Sequence, residues 1–231
     1  MKLAVMQPYL FPYIGYYQFA YCSDMFIFYD DVTYIKNGYI NRNSVLTKNG
    51  RQLFTIPVKN ASSFTLIKDL EFSSDIKKIL ATIKQTYSKA PYFSDVYPII
   101  EKVLSSNNRN VAYIAAQSII EFFNYLNIDF KYIYSSSLDY DRNKSAKDKL
   151  YCFCDLFRCD TYINSIGGLD LYHKSEFDEK GIDLNFIYPD EIRYKQFNKK
   201  IGFEKNLSII DILMNLSPLE IINLLEFYNV K

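Results

Sequence analysis

The amino-acid sequence predicts an α/β protein, a mostly parallel sheet with a β-hairpin insertion and a helical middle section. Three observations lead there. Short apolar runs alternate with longer helical patterns in the first and last thirds of the chain, the order that parallel strands need for their crossovers. A turn signal flanked by two strand-like segments lies between residues 39 and 72. Residues 75–127 carry apolar side chains at three- and four-residue steps.

Residues 2–6 (KLAVM) read as a first strand, residues 7–12 as a loop constrained by Pro8 and Pro12, and a helix opens at Tyr13 or Ile14 and runs toward Cys22. A second strand covers 25–29. Residues 41–46 and 52–58 form a hairpin about Lys48-Asn49-Gly50, and 66–72 are expected to add a third strand. Ile76, Ile79, Leu80, Ile83 and Tyr87 mark a helix that Pro91 stops; further helices are expected over 97–104 and 110–126. Then come a strand at 130–134, a helix at 144–157, and strands at 161–164 and 183–188. Ser208 caps a helix over 209–215, and Ser217-Pro218 opens one over 219–228. With no repeat or linker-like tract, residues 1–231 are expected to form one α/β domain, its insertions at 39–72 and 75–127.

Composition narrows the function classes. At 49% hydrophobic and 23% charged, with seven Gly and seven Pro, the chain can bury a core and is neither disordered nor fibrous. A net charge of +1 excludes the basic excess of a protein that binds by neutralising phosphates, so nucleic acid is not the default partner. Residues 3–23 hold no charge, but Pro8, Pro12, two glutamines and five tyrosines would leave polar groups unsatisfied in hydrocarbon. A cytoplasmic protein that is not membrane-integral is expected, and its four cysteines suit a reducing compartment.

The common catalytic signatures are absent. Cys152, Cys154 and Cys159 cannot close one metal shell on a helix, where Cys152 and Cys159 stand ~10 Å apart, so no metal is expected and burial explains them. His173, the single histidine, has no Gly-x-Ser-x-Gly partner, and neither phosphate-cradling glycine fingerprint occurs. What remains is a polar set near the first two strand ends: Gln7, Tyr16, Tyr17, Asp30, Asp31, Lys36, Asn41, Arg42 and Asn43. Acids beside a Lys and an Arg suit a zwitterion, a phosphate or a sugar, though the same residues also suit a solvated loop. A second set, Asn164, Gly167, Gly168 and Tyr172, follows a late strand, where Gly-Gly permits close backbone approach to a ligand or forms a plain turn.

The block Met6-Gln7-Pro8-Tyr9-Leu10-Phe11-Pro12-Tyr13-Ile14-Gly15-Tyr16-Tyr17-Gln18, with Phe26-Ile27-Phe28-Tyr29-Asp30-Asp31, Asn41-Arg42-Asn43 and Thr55-Ile56-Pro57-Val58, resembles the WbqC-like family of bacterial proteins. Tyr87-Ser88-Lys89-Ala90-Pro91, Ser165-x-Gly167-Gly168, Tyr194-x-Gln196 and Leu207-Ser208-Ile209-Ile210-Asp211 extend the resemblance across the chain. That family is typically encoded among genes for O-antigen and other surface polysaccharides. The resemblance implies a transferase that adds an amino-acid (glycine-like) or other acyl group to the amine of a nucleotide-linked amino sugar. It implies Gln7, Tyr16, Asp31, Lys36, Asn41, Arg42 and Gln196 as site positions.

Such a transfer needs an unprotonated amine and a stabilised oxyanion, for which Asp31 is the candidate base and Arg42 or Asn41 the group steadying the anion or the sugar diphosphate. Two other readings stay open. One is ATP-dependent amide ligation at the same loop, with ATP or an acyl donor as co-substrate. The other is a non-catalytic sugar-nucleotide-binding or scaffold protein; the sequence also leaves a homo-oligomer open.

Overall fold

The computed structural model describes residues 1–196 and 202–231. In chain order the elements are β1 (Lys2–Met6), α1 (Ile14–Tyr21), β2 (Met25–Phe28), β3 (Arg42–Thr47), β4 (Gly50–Thr55), β5 (Val58–Lys59), β6 (Glu71–Phe72), α2 (Lys77–Tyr87), α3 (Phe93–Leu104) and α4 (Val111–Tyr125). They continue as β7 (Tyr132–Tyr134), α5 (Ala146–Phe157), β8 (Thr161–Ser165), α6 (Lys174–Asp178), β9 (Asp183–Pro189), α7 (Ile209–Asn215), α8 (Pro218–Leu225) and β10 (Tyr228–Val230).

The main sheet has six strands in the order β10-β9-β8-β1-β2-β7, parallel throughout except for β10, which runs antiparallel on β9. Because successive strand residues face opposite sides, alternation divides the core in two. Ala4, Phe26, Phe28, Ile163 and Ile187 point into the larger cluster with α1, the hairpin and the helical middle. Leu3, Val5, Ile27, Tyr162 and Leu184 point into the smaller one, under α5 and α6. Helical layers thus cover both faces, as a parallel sheet requires. Cys154 is buried in the smaller cluster beside Leu150 and Phe153, and burial pushes its thiol up to about 12.

The structure departs from the sequence expectation at four places. Residues 66–72 add no strand to the hairpin: Ile67–Asp69 makes a 3-10 turn, and β6 pairs with β5 in a separate two-stranded ribbon. Helix α3 begins at Phe93 and carries Pro98 inside, keeping its place through the burial of Val96, Ile100, Val103 and Leu104. Helix α6 is an added short helix. Helix α8 stops at Leu225, and β10 follows it, a three-residue strand whose pairing with β9 comes from tertiary contact rather than from any local pattern.

One buried polar cluster ties the hairpin to the rest. Asp211, 1% exposed in the first turn of α7, accepts hydrogen bonds from the Tyr87 and Tyr194 hydroxyls, each at 2.6 Å, while Tyr87 Oη also accepts from the Leu46 amide. Burial raises the Asp211 carboxyl above its ordinary 3.8. A native value above the unfolded one means that stability is fully present below the unfolded value and is lost as pH rises through the native one. Asp211→Asn, which cannot ionise, should therefore gain on the wild type as pH climbs from about 3 toward neutrality, a trend read from denaturation midpoints. A difference that stays flat across that range would contradict it.

Candidate functional site

The chain leaves β1 toward β2 and later returns at β8, on the other side of β1, to build outward to β9. This reversal opens a crevice beyond the carboxyl ends of β1 and β8, the place where open α/β sheets bind ligands. A cavity of about 560 Å³ lies there, bordered by Met6 at the end of β1, by Gln7 just after it, and by Asn164 and Ser165 from β8.

Six tyrosines form much of its wall: Tyr9, Tyr13, Tyr16, Tyr29, Tyr162 and Tyr172. Burial, with the charges of Asp31 and Tyr172, pushes the Tyr29 phenol up to about 12. Among the described residues, no carboxylate, ammonium, guanidinium or imidazole side chain lines the cavity. Gly15, in the first turn of α1, and Ala146, the first residue of α5, bring two helix N-termini to it. The Tyr13 side chain does not cap α1, which leaves that end's partial positive charge available to an anion.

Two amide side chains border the crevice. The Gln7 Oε1 atom is buried with no partner, although Tyr16 Oη fixes the neighbouring backbone by donating to the Gln7 carbonyl at 2.8 Å. Asn164 accepts from the Ser165 amide at 2.8 Å through Oδ1, which turns its Nδ2 group over Gly168. A Cβ at Gly168 would stand 2.4 Å from that Nδ2, so the close approach allowed by this glycine is that of the Asn164 side chain. At Gly167 the nearest atom to such a Cβ would be Ser165 Oγ at 3.6 Å, an ordinary contact.

The WbqC-like protein family matches residues 7–222 of this sequence. The chain belongs to that family. It is 27% identical over 222 residues, 93% of each chain, to the uncharacterized protein Rv1507c of Mycobacterium tuberculosis. No solved structure matches it. No helix among the described residues is long and apolar enough to cross a membrane.

In this WbqC-like chain the crevice gathers Gln7, Tyr16, Asn164, Gly167, Gly168 and Tyr172. The remaining positions singled out in the sequence lie elsewhere. Tyr17 is buried with its ring 4.1 Å from that of Phe122 and its hydroxyl on the Ser118 carbonyl. Asn41 donates to the Ile56 carbonyl and braces the hairpin base. Arg42 donates to Asn37 Oδ1 at 2.7 Å and pairs with neither Asp30 nor Asp31, bracing the loop that carries exposed Lys36 and the cavity-lining Ile35. Gln196 joins Tyr194 and both backbone groups of Glu204. Exposed His173 stands at the N-cap of α6 and makes no cap bond.

Asp31 is enclosed. Its side chain has no exposed surface and takes hydrogen bonds from Ser135 Oγ at 2.5 Å, Tyr140 Oη at 2.7 Å and Arg142 Nε at 2.9 Å. Asp30 accepts from the amide and hydroxyl of Ser136, and its Oδ1 lies 3.0 Å from Ser135 Oγ, whose one proton the two acids share. The acid pair therefore fastens the 135–142 segment that leads into α5, and reaches the cavity through the helix end it positions. Sequence reasoning passed over Tyr9, Tyr13, Tyr29 and Tyr162 as site residues; the signal for Tyr29 was its place at the carboxyl end of the second strand, where ligand contacts gather.

Proposed function

We propose that the protein binds a nucleotide-linked amino sugar in the β1/β8 crevice and transfers an amino-acid (glycine-like) or other acyl group onto its amine, a reaction of cytoplasmic O-antigen or surface-polysaccharide biosynthesis. The uncharged lining of the cavity carries this reading. A carboxylate beside an amine would hold it as ammonium, whereas a neutral wall does not, so the free base, the form with a lone pair to attack, is not disfavoured there. In the transfer, nitrogen forms a bond to the acyl carbon, the donor's leaving group departs with its bonding pair, and one proton leaves the nitrogen for solvent.

The other parts take roles that suit this ligand. The unpartnered Gln7 amide and the Asn164 Nδ2 group supply polar contacts to the amine and to the developing oxyanion. Tyrosine faces suit the sugar and the base. The N-terminus of α1 suits the diphosphate, with Lys36, next to Ile35, as the cation assigned to it, whereas the start of α5 is already capped by Ser145 and carries Asp148. Asp31 and Arg42 are assigned as positioning residues, because their hydrogen bonds hold the loops around the crevice.

The same lining supplies no carboxylate or imidazole to move a proton, an observation that favours a second reading, a non-catalytic sugar-nucleotide-binding protein. Thermal-shift measurements with UDP- and dTDP-linked amino sugars, amino acids and ATP, followed by mass spectrometry of mixtures with acyl donors, separate the two. Stabilisation by an amino-sugar nucleotide together with an acylated product supports the transferase. Stabilisation without product from any donor selects the binding protein, product that requires ATP selects ligation, and no stabilisation by any sugar nucleotide removes both main readings.

A further inference from the structure

A second cavity, of about 370 Å³, shares Tyr9 and Tyr13 with the first, so these two rings form a common wall. Tyr13 can lie there because residue 15 is glycine: a Cβ on Gly15 would stand 2.4 to 2.8 Å from the Tyr13 ring and hydroxyl. The Tyr9 and Tyr13 phenols are close enough to influence each other, and neither hydroxyl has a protein hydrogen-bond partner among the described residues. Both are free to bond to ligands on either side.

The two cavities differ in charge. The first has no ionic lining, whereas Arg51 and Lys205 border the second. Arg51 donates to the Glu204 carboxylate at 3.3 Å and to the Lys205 carbonyl. The exposed Lys205 ammonium has no carboxylate within ion-pair distance among the described residues. Two cations against one acid leave one positive charge uncompensated at this opening. Asn43, also in its wall, is already committed: it donates to the Phe11 carbonyl and accepts from the Ser44 amide, so it supplies a rigid surface rather than a contact.

We propose that this second cavity is an oxyanion subsite, taking the carboxylate or phosphate of a second substrate against Lys205 and Arg51, across the Tyr9–Tyr13 wall from the crevice ligand. A bound oxyanion gains charge-assisted hydrogen bonds from the ammonium and the outer guanidinium edge. In that pairing the acceptor would lie on the neutral side of the two phenols and the anionic donor on the cationic side. The subsite rests on the transferase reading only for that pairing; its affinity for an oxyanion stands on Arg51 and Lys205 alone.

The full-length protein is titrated, by NMR, with glycine, acetate and inorganic phosphate in turn, and separately with UDP-glucosamine. Wild type is compared with Lys205→Gln, the Arg51→Gln/Lys205→Gln pair, and Lys89→Gln, which changes a lysine of a different groove. At least one oxyanion is expected to bind, with affinity reduced about tenfold by Lys205→Gln and untouched by Lys89→Gln, while UDP-glucosamine binds all forms alike. Selective loss of glycine and acetate identifies a carboxylate as the ligand, and selective loss of phosphate identifies a phosphoryl group. Oxyanion binding that is absent, or equal in wild type and Lys205→Gln, overturns the subsite. Failure of UDP-glucosamine alone strikes the transferase reading and leaves the subsite standing.

Discussion

Replacing Asp31 with alanine should destabilise the fold by about 3 kcal/mol, because it removes the fully enclosed carboxylate on which three donors converge. The Arg142 side chain is 43% exposed and can rehydrate, which keeps the cost at the lower end of the range for broken buried ion pairs. Ser135 Oγ keeps Asp30 Oδ1 as an acceptor at 3.0 Å, and the half-buried Tyr140 hydroxyl loses its partner. Asp31→Asn should cost less, since it keeps an oxygen acceptor and the side-chain volume. Arg142→Ala should cost a comparable amount to Asp31→Ala, and the double variant should fall well short of the sum, as expected for partners in one network. Urea denaturation of the four proteins provides the check. An Asp31→Ala protein of undiminished stability that has lost all transfer activity would return this residue to the chemistry.

The second large effect is on binding. Gly168→Ala should weaken UDP-glucosamine binding at least tenfold, roughly 1.4 kcal/mol or more, by forcing the Asn164 amide out of the crevice. The internal control stands one residue away. Gly167→Ala meets nothing closer than 3.6 Å and should bind almost as wild type does. Neither glycine has a positive φ, so the contrast is one of space and not of backbone conformation. Calorimetric titration of both variants tests this. Equal loss in the two, or loss in neither, would separate Asn164 from ligand recognition.

The layering of the fold was legible because the strands that form it carry strong local signals. Lys2–Met6 and Met25–Phe28 are short, mostly apolar runs set beside helical patterns, and Thr161–Ser165 carries the β-formers Thr, Tyr and Ile; their parity decides which core each side chain enters. β10 was not legible, since three residues paired at a sheet edge leave no periodic trace. At the site, the sequence pointed to the carboxyl ends of the first two strands, and the polarity found there divides in a way that spacing alone cannot show. Gln7 and Asn164, 157 positions apart in the sequence, border one crevice because β1 and β8 are neighbours. Asp31, Asn41 and Arg42 are equally polar, but Ser135 and Arg142 take up the Asp31 carboxylate, while Ile56 and Asn37 take one donor each from Asn41 and Arg42, leaving Asn41 Oδ1 and Arg42 Nε buried without a partner. A charged side chain looks the same in a sequence whether it awaits a ligand or already has a partner.

The tyrosine wall also has an optical consequence. The chain has 22 tyrosines and no tryptophan, so its near-ultraviolet emission belongs to phenol rings, with no indole to collect the excitation. Six of those rings border the crevice, and a nucleobase resting on them would quench their emission by contact. Occupancy of the crevice could then be followed in the unlabelled protein as a fall in tyrosine fluorescence, on the millisecond scale of a stopped-flow instrument. A sugar without a base would leave the signal nearly unchanged, so the protein's own light would report which half of a nucleotide sugar rests against the rings.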